Sequence, residues 1–118
     1  MTSPRHVLLV EDESAIAELI RTALDAAGLR VTACPGVQTA GRALGQAGKD
    51  RIDLAILDLT LPDGPPDPLA RRLDDAGIPV IAISGDPDRL TAFPVAYRLE
   101  KPFRIRALME LVTTALPG

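Results

Sequence analysis

The feature that most restricts this chain is a regular alternation of short, nearly continuous apolar runs with longer segments of helical period. His6 to Val10 (HVLLV) has no polar alternation after its first residue, the pattern of a strand covered on both faces. From Ser14 the spacing changes. Ile16, Leu19, Ile20, Ala23, Leu24 and Ala27 fall on one helical stripe, and Gly28 stands where a helix would stop. Arg30 to Cys34 predicts a short strand, and Val37 to Ala47 a weaker helix closed by Gly48. Ile52 to Leu57 (IDLAIL) predicts the third strand. Leu61 to Pro68 holds four prolines and reads as a turn-rich segment, followed by a helix from about Leu69 to Ala76 that ends at Gly77. Pro79 to Ile83 (PVIAI) is the fourth strand and Tyr97 to Glu100 a weak fifth. Between them Gly85 to Pro94 is broken by Pro87 and Pro94, and Ile105, Leu108, Met109, Val112 and Leu116 mark a last helix.

Strands and helices alternating at this spacing call for a doubly wound α/β fold, a parallel sheet with helices on both faces. Ligands of such sheets lie beyond the carboxyl ends of the strands, where the strand order reverses. In this chain strand one runs into Glu11-Asp12-Glu13, strand three into Asp58, strand four into Ser84-Gly85 and strand five into Glu100-Lys101-Pro102. Carboxylates brought together at one rim repel one another unless a cation is present. Oxygen donors without a histidine or thiol suit a hard ion, and Mg2+ is the natural candidate because it also takes phosphate oxygens. Glu11 and Asp12 are therefore assigned to the metal. Asp58, fed by a buried strand, is assigned as a carboxylate nucleophile that forms an acyl phosphate. Lys101 would face the phosphoryl charge, and Ser84 would sense it with its hydroxyl. Taken singly, each of these residues reads as a turn former, a helix cap or a solvated charge; their joint occurrence at four strand ends carries the assignment.

Composition narrows the field further. The length, 118 residues, suits one domain, and a net charge of −3 offers no broad face for a nucleic-acid backbone. No apolar run approaches the roughly 20 residues of a membrane span, and no secretory leader is read at Met1 to Arg5. The single cysteine, Cys34, cannot form an internal disulfide, so a cytoplasmic setting is expected.

With the residues in view, the chain resembles a response regulator receiver domain of two-component systems. VLLVEDE (Val7 to Glu13), IDLAILDLTLPDG (Ile52 to Gly64), VIAISG (Val80 to Gly85) and EKPF (Glu100 to Phe103) occur in the family's order, with Asp12 and Asp58 46 residues apart. The resemblance covers essentially the whole chain. It implies a flavodoxin-like, five-stranded sheet of order 2-1-3-4-5 and phosphorylation of Asp58 by a histidine kinase or histidine phosphotransfer protein. It also implies a Mg2+ site of Glu11, Asp12, Asp58 and the backbone carbonyl of Thr60, with Ser84 as switch hydroxyl, Lys101 as the phosphoryl-binding lysine, and a Lys101-Pro102 bond that the family often holds in cis. Three departures carry expectations of their own. Ser84 and Lys101 are only 17 residues apart, several fewer than usual, so the fourth helix is expected to be short, distorted or missing. Arg98 stands where the family carries its switch aromatic; Tyr97 is one place out of register and faces the other way. The run Pro65-Pro66-Asp67-Pro68 is expected to delay helix three.

The working function is a stand-alone phosphoacceptor without an output domain, in the likeness of bacterial single-domain regulators. It would be a monomer or weak dimer, with no catalytic turnover beyond its own phosphorylation and dephosphorylation, signalling through a downstream protein target or acting as relay or phosphate sink. The alternative is a pseudo-receiver that binds a partner constitutively. A nucleotide binder or small Mg2+ phosphohydrolase ranks third, because the loop after strand one lacks phosphate-cradling glycines. Plainer roles are expected elsewhere. His6 and Cys34 read as structural, Asp63-Gly64 as a turn, Asp86 and Asp88 as caps, and Arg71 and Arg72 as a solvated face. Arg104 and Arg106 lie near the rim where a partner would meet the chain.

Overall fold

A computed structural model describes residues 4–46 and 51–116. The elements run β1 (His6–Val10), α1 (Ser14–Ala26), β2 (Arg30–Cys34), α2 (Val37–Gly45), β3 (Leu54–Asp58), α3 (Asp67–Asp75), β4 (Val80–Ser84), α4 (Pro87–Ala92), β5 (Tyr97–Glu100) and α5 (Ile105–Ala115). All strand pairs are parallel, and the order is β2-β1-β3-β4-β5, the doubly wound arrangement expected from the sequence. The end of α2 expected at Ala47 and Gly48 lies outside the described residues. Among the described residues no helix is long and apolar enough to cross a membrane.

Because side chains alternate across a strand, the central strands feed two cores at once. Val7, Leu9, Leu54, Ile56, Ile81 and Ile83 pack with Ile20 and Leu24 of α1 and Leu108 and Val112 of α5. Leu8, Val10, Ala55, Leu57, Val80 and Ala82 pack on the opposite side with Ala40, Leu69, Leu73 and Leu90 of the other three helices. Each of β1, β3 and β4 is buried along its length, and the sheet ends where polar residues take over. Helices α1 and α3 stop in the same way. Gly28 (φ +81°) and Gly77 (φ +73°) turn the chain, and the following N–H groups of Leu29 and Ile78 reach back to the carbonyls of Leu24 and Leu73.

Two boundary expectations need correction, and both concern proline. Helix α3 begins at Asp67, inside the proline run, with Pro68 in its first turn. Pro87 is the first residue of α4 and does not break it. The opening N–H groups of a helix have no partner within it, so a proline there sacrifices no bond. Asp86 completes the start of α4, its Oδ1 accepting from the N–H groups of Asp88 and Arg89 at 3.1 and 3.3 Å, which makes it the cap the sequence suggested. The fourth helix is short, at 6 residues, and regular.

Candidate functional site

The parallel register brings the ends of β1, β3, β4 and β5 to one rim. Val10 pairs with Leu57, Asp58 with Ile83 and Ser84 with Glu100. The next residues on the outer chains are therefore Glu11 and Lys101, each still tied to the sheet: the Glu11 N–H donates to the Cys34 carbonyl at 3.0 Å and the Lys101 N–H to the Ser84 carbonyl at 2.8 Å. Backbone pairing, rather than side-chain attraction, sets the positions from which these groups converge.

Carboxylate oxygens of Glu11, Asp12 and Asp58 lie within 4.8 Å of one another. Glu11 and Asp58 are almost fully buried, at 3 and 2 % exposure, whereas Asp12 is open to solvent. Lys101 reaches into the cluster. Its Nζ lies 2.8 Å from Glu11 Oε1, 3.1 Å from Asp58 Oδ2 and 3.5 Å from Glu13 Oε1. The remaining oxygens take backbone donors: Asp58 Oδ1 accepts from the Thr60 N–H at 3.0 Å, and Glu11 Oε2 from the Glu13 N–H at 3.1 Å. Glu13, adjacent to the expected ligands, thus joins the charge cluster as a residue to which the sequence had assigned no role.

The electrostatics follow from this crowding. Burial pushes the Glu11 carboxyl up to about 7, assisted by its proximity to Asp58, while Lys101 and the Glu13 N–H pull the other way without winning. Burial alone would lower the Lys101 ammonium, but the close carboxylates of Glu11 and Asp58 together outweigh it and hold lysine well above its usual value. One ammonium thus serves three carboxylates. The Glu11 Oε1 atom, for all its closeness to Lys101, accepts no well-directed hydrogen bond. Three clustered carboxylates sharing one ammonium offer hard oxygen donors that fit a divalent cation such as Mg2+, with Glu11, Asp12 and Asp58 as the side chains that would hold it.

Ser84 is fully buried at the end of β4, and its Oγ accepts from the Asp86 N–H at 3.0 Å. It is one strand removed from the carboxylates and connects the rim to α4. The Lys101-Pro102 bond is cis. A shallow cleft of about 240 Å³ opens from Glu11 and Asp12 along α1, past Glu18 and Arg21, to Cys34 and Pro35.

On β5 the alternation falls as its one-residue offset requires. Tyr97 and Leu99 pack on the α1 and α5 side. Arg98 points to the other face and holds the end of α4, its Nε donating to the Leu90 carbonyl at 2.7 Å and an Nη to the Phe93 carbonyl at 2.8 Å. His6 is structural, its ring nitrogen 2.7 Å from Thr32 Oγ1. Arg72 is not simply solvated: it donates to the Gly41 carbonyl at 3.3 Å and so bridges α3 to α2. Asp63 lies in a turn, as read from the sequence, and in addition accepts from two backbone N–H groups at the start of α2. A contact between residues so far apart in sequence leaves no local signature.

Comparison with known proteins shows the family and the fold. The family model for the response regulator receiver domain matches residues 7–113. The KDP operon transcriptional regulatory protein KdpE of Escherichia coli (strain K12) is 38 % identical over 117 residues, covering 94 % of this chain and 51 % of that protein. The transcriptional regulatory protein CseB of Streptomyces coelicolor is 37 % identical over 91 residues, covering 76 % of the chain and 38 % of that protein. The chain thus spans about half or less of the length of these curated relatives. Among solved structures, the receiver domain of the hybrid histidine kinase CckA superposes with a TM-score of 0.78 at 30 % identity, covering 95 % of this chain and 99 % of that one. A response regulator receiver protein from Pseudomonas putida superposes with a TM-score of 0.82 at 26 % identity, covering 97 and 99 %.

Proposed function

The chain belongs to the response regulator receiver domains, and from that premise we propose that Asp58 accepts a phosphoryl group from a phosphohistidine on a histidine kinase or phosphotransfer protein. The observation that carries this reading is the Lys101 ammonium set between Asp58 Oδ2 and Glu11 Oε1, at 3.1 and 2.8 Å, in a cluster of three carboxylates. Clustered buried charge of this kind is costly to a fold and has a use only where charge is to be bound.

In the reaction, an Asp58 carboxylate oxygen attacks phosphorus, the phosphorus–nitrogen bond of the donor breaks, and the imidazole leaves. The Thr60 N–H holds Oδ1 and Lys101 holds Oδ2, so the carboxylate is oriented before the donor arrives. Lys101 then faces the transferred oxygens, and Ser84 exchanges the Asp86 N–H for a hydrogen bond to one of them. Mg2+, held by Glu11, Asp12, Asp58 and the Thr60 carbonyl, supplies neutralisation of the phosphoryl charge when bound. Attack of water on phosphorus later returns Asp58 and inorganic phosphate. Receiver domains are in general signalling modules rather than turnover enzymes, and the phosphorylated chain signals by contact with a downstream protein or passes the group on.

Labelling tests the reading. With Mg2+ and a phosphohistidine donor or small acyl phosphate, the wild type is expected to take up acid- and base-labile phosphate on Asp58, and Asp58→Asn to take up none. A folded wild type that remains unlabelled would be a constitutive protein-binding module. Undiminished labelling of Asp58→Asn would move the acceptor elsewhere.

A further inference from the structure

The segment from Leu59 to Pro66 leaves the sheet beside Asp58 and contains Thr60, whose N–H orients the Asp58 carboxylate. Its ends are fixed: Leu59 is buried and its N–H donates to the Ile83 carbonyl at 3.0 Å, and the Pro66 carbonyl accepts from Ala70 at 2.9 Å. Midway, Asp63 reaches across to another loop. Its Oδ1 accepts from the Val37 N–H at 3.0 Å and its Oδ2 from the Gln38 N–H at 3.1 Å.

Those are the opening donors of α2, which the helix cannot satisfy itself. The residue preceding them, Gly36, has no side chain with which to cap them. Gly36 has extended backbone (φ −161°), so it is not glycine for its conformation. It is glycine for space: a Cβ there would lie 2.5 Å from Asp63 Oδ1. The two backbone N–H groups hold the Asp63 carboxyl below its ordinary range. A carboxylate that fills the place of its neighbour's side chain and spends both oxygens on another element's backbone is a tether between loops.

We propose that Asp63 is a positioning residue for the metal and phosphoryl site, pinning the β3–α3 loop to the start of α2 so that Thr60 stays set beside Asp58. This rests on the phosphoacceptor reading, in which the Thr60 carbonyl is a metal ligand. Asp63 touches neither the metal nor the phosphoryl group; it acts through the backbone of its loop. Outer partners of metal ligands commonly change affinity by about 10- to 100-fold, and a tether acting through three residues of backbone belongs at the lower end, roughly tenfold.

The difficulty is to separate tethering from simple capping of α2, and Gly36 provides the means. Asp63→Ala removes the cap and frees the space at position 36. Adding Gly36→Ser then restores a cap from within α2's own chain, without reconnecting the loop. The probe is Mg2+ alone, titrated into metal-free protein and followed by the amide resonances of Asp58 and Thr60. Asp63→Ala is expected to weaken Mg2+ binding roughly tenfold. The double variant is expected to regain thermal stability while Mg2+ binding stays weak. Gly36→Ala alone, by displacing Asp63, should reproduce the weak binding, and should add nothing further in the Asp63→Ala background. Wild-type affinity in Asp63→Ala, or its full return with Gly36→Ser, would overturn the proposal while leaving the phosphoacceptor reading intact. A folded wild type whose amides ignore Mg2+ would overturn both.

Discussion

The two flanks of the rim are built on different physics. At the ends of β1 and β3 the contacts centre on full charges, with Lys101 reaching over from the end of β5 to Glu11, Glu13 and Asp58 and two of the carboxylates buried. Around β4 and α4 they are hydrogen bonds to backbone: Ser84 at the end of β4 takes the Asp86 N–H, and Arg98 from within β5 holds the carbonyls of Leu90 and Phe93. The first flank is electrostatically unbalanced and gains from a bound cation. The second suspends a six-residue helix between two hydrogen-bonded ends, and its groups are satisfied as they stand. In the proposed phosphoryl transfer the first flank supplies the charges, and Ser84 joins them from the second.

The sharpest way to break this comparison is to remove the cation. Lys101→Met leaves Glu11 buried without a counter-charge and is expected to destabilise the metal-free protein by about 3 kcal/mol. It should also slow phosphoryl uptake on the order of 100-fold. Chemical denaturation and the labelling rate check the two effects, and a variant as stable and as fast as wild type would remove the contrast between flanks.

A pH titration follows in size. The folded protein raises Glu11 from 4.5 to about 7. Between these values it keeps a proton that the unfolded chain has released, so metal-free stability should fall as pH rises through this window. The expected loss is on the order of 3 kcal/mol. Glu11→Gln should flatten the slope. Stability that rises over the same interval in the wild type would contradict the assignment.

Smaller effects belong to the second flank. Ser84→Ala orphans the Asp86 N–H and should cost about 1 kcal/mol of stability. It should also slow phosphoryl uptake while leaving Mg2+ affinity of the unphosphorylated protein unchanged. Arg98→Ala is expected to speed amide exchange in α4, since it releases two carbonyls at the helix end, and to leave the labelling rate within about twofold, inside the range of a lost surface contact. A large loss of labelling in Arg98→Ala would merge the two flanks into one machine.

The contrast also marks what a reader of the sequence can see. Glu11, Asp12, Asp58 and Lys101 were legible because buried apolar strands end in them, and parallel pairing leaves such residues one place to go. Tyr97 and Arg98 were legible as a pair, since period two decides which faces α5 and which α4. The starts of α3 and α4 were not: Pro68 and Pro87 read as breakers until their place in the first turn is known. Asp63 was invisible as a tether, because its partners are backbone groups more than twenty residues away that any sequence supplies. The acceptors of Arg98 are nearer in sequence, but they too are backbone groups that any sequence supplies. Side chains that bond to side chains, or end strands, leave a pattern in the sequence; those that bond to distant backbone do not.

The account stands or falls on the carboxylates and Lys101 acting as one phosphoryl-binding rim. The most direct measurement is the amide spectrum of the wild-type chain titrated with Mg2+ and then with beryllofluoride. The resonances of Asp58, Thr60, Ser84 and Lys101 should move together, with the first two responding to Mg2+ and all four to the phosphoryl mimic. A folded protein in which those four signals hold still through both additions would contradict it.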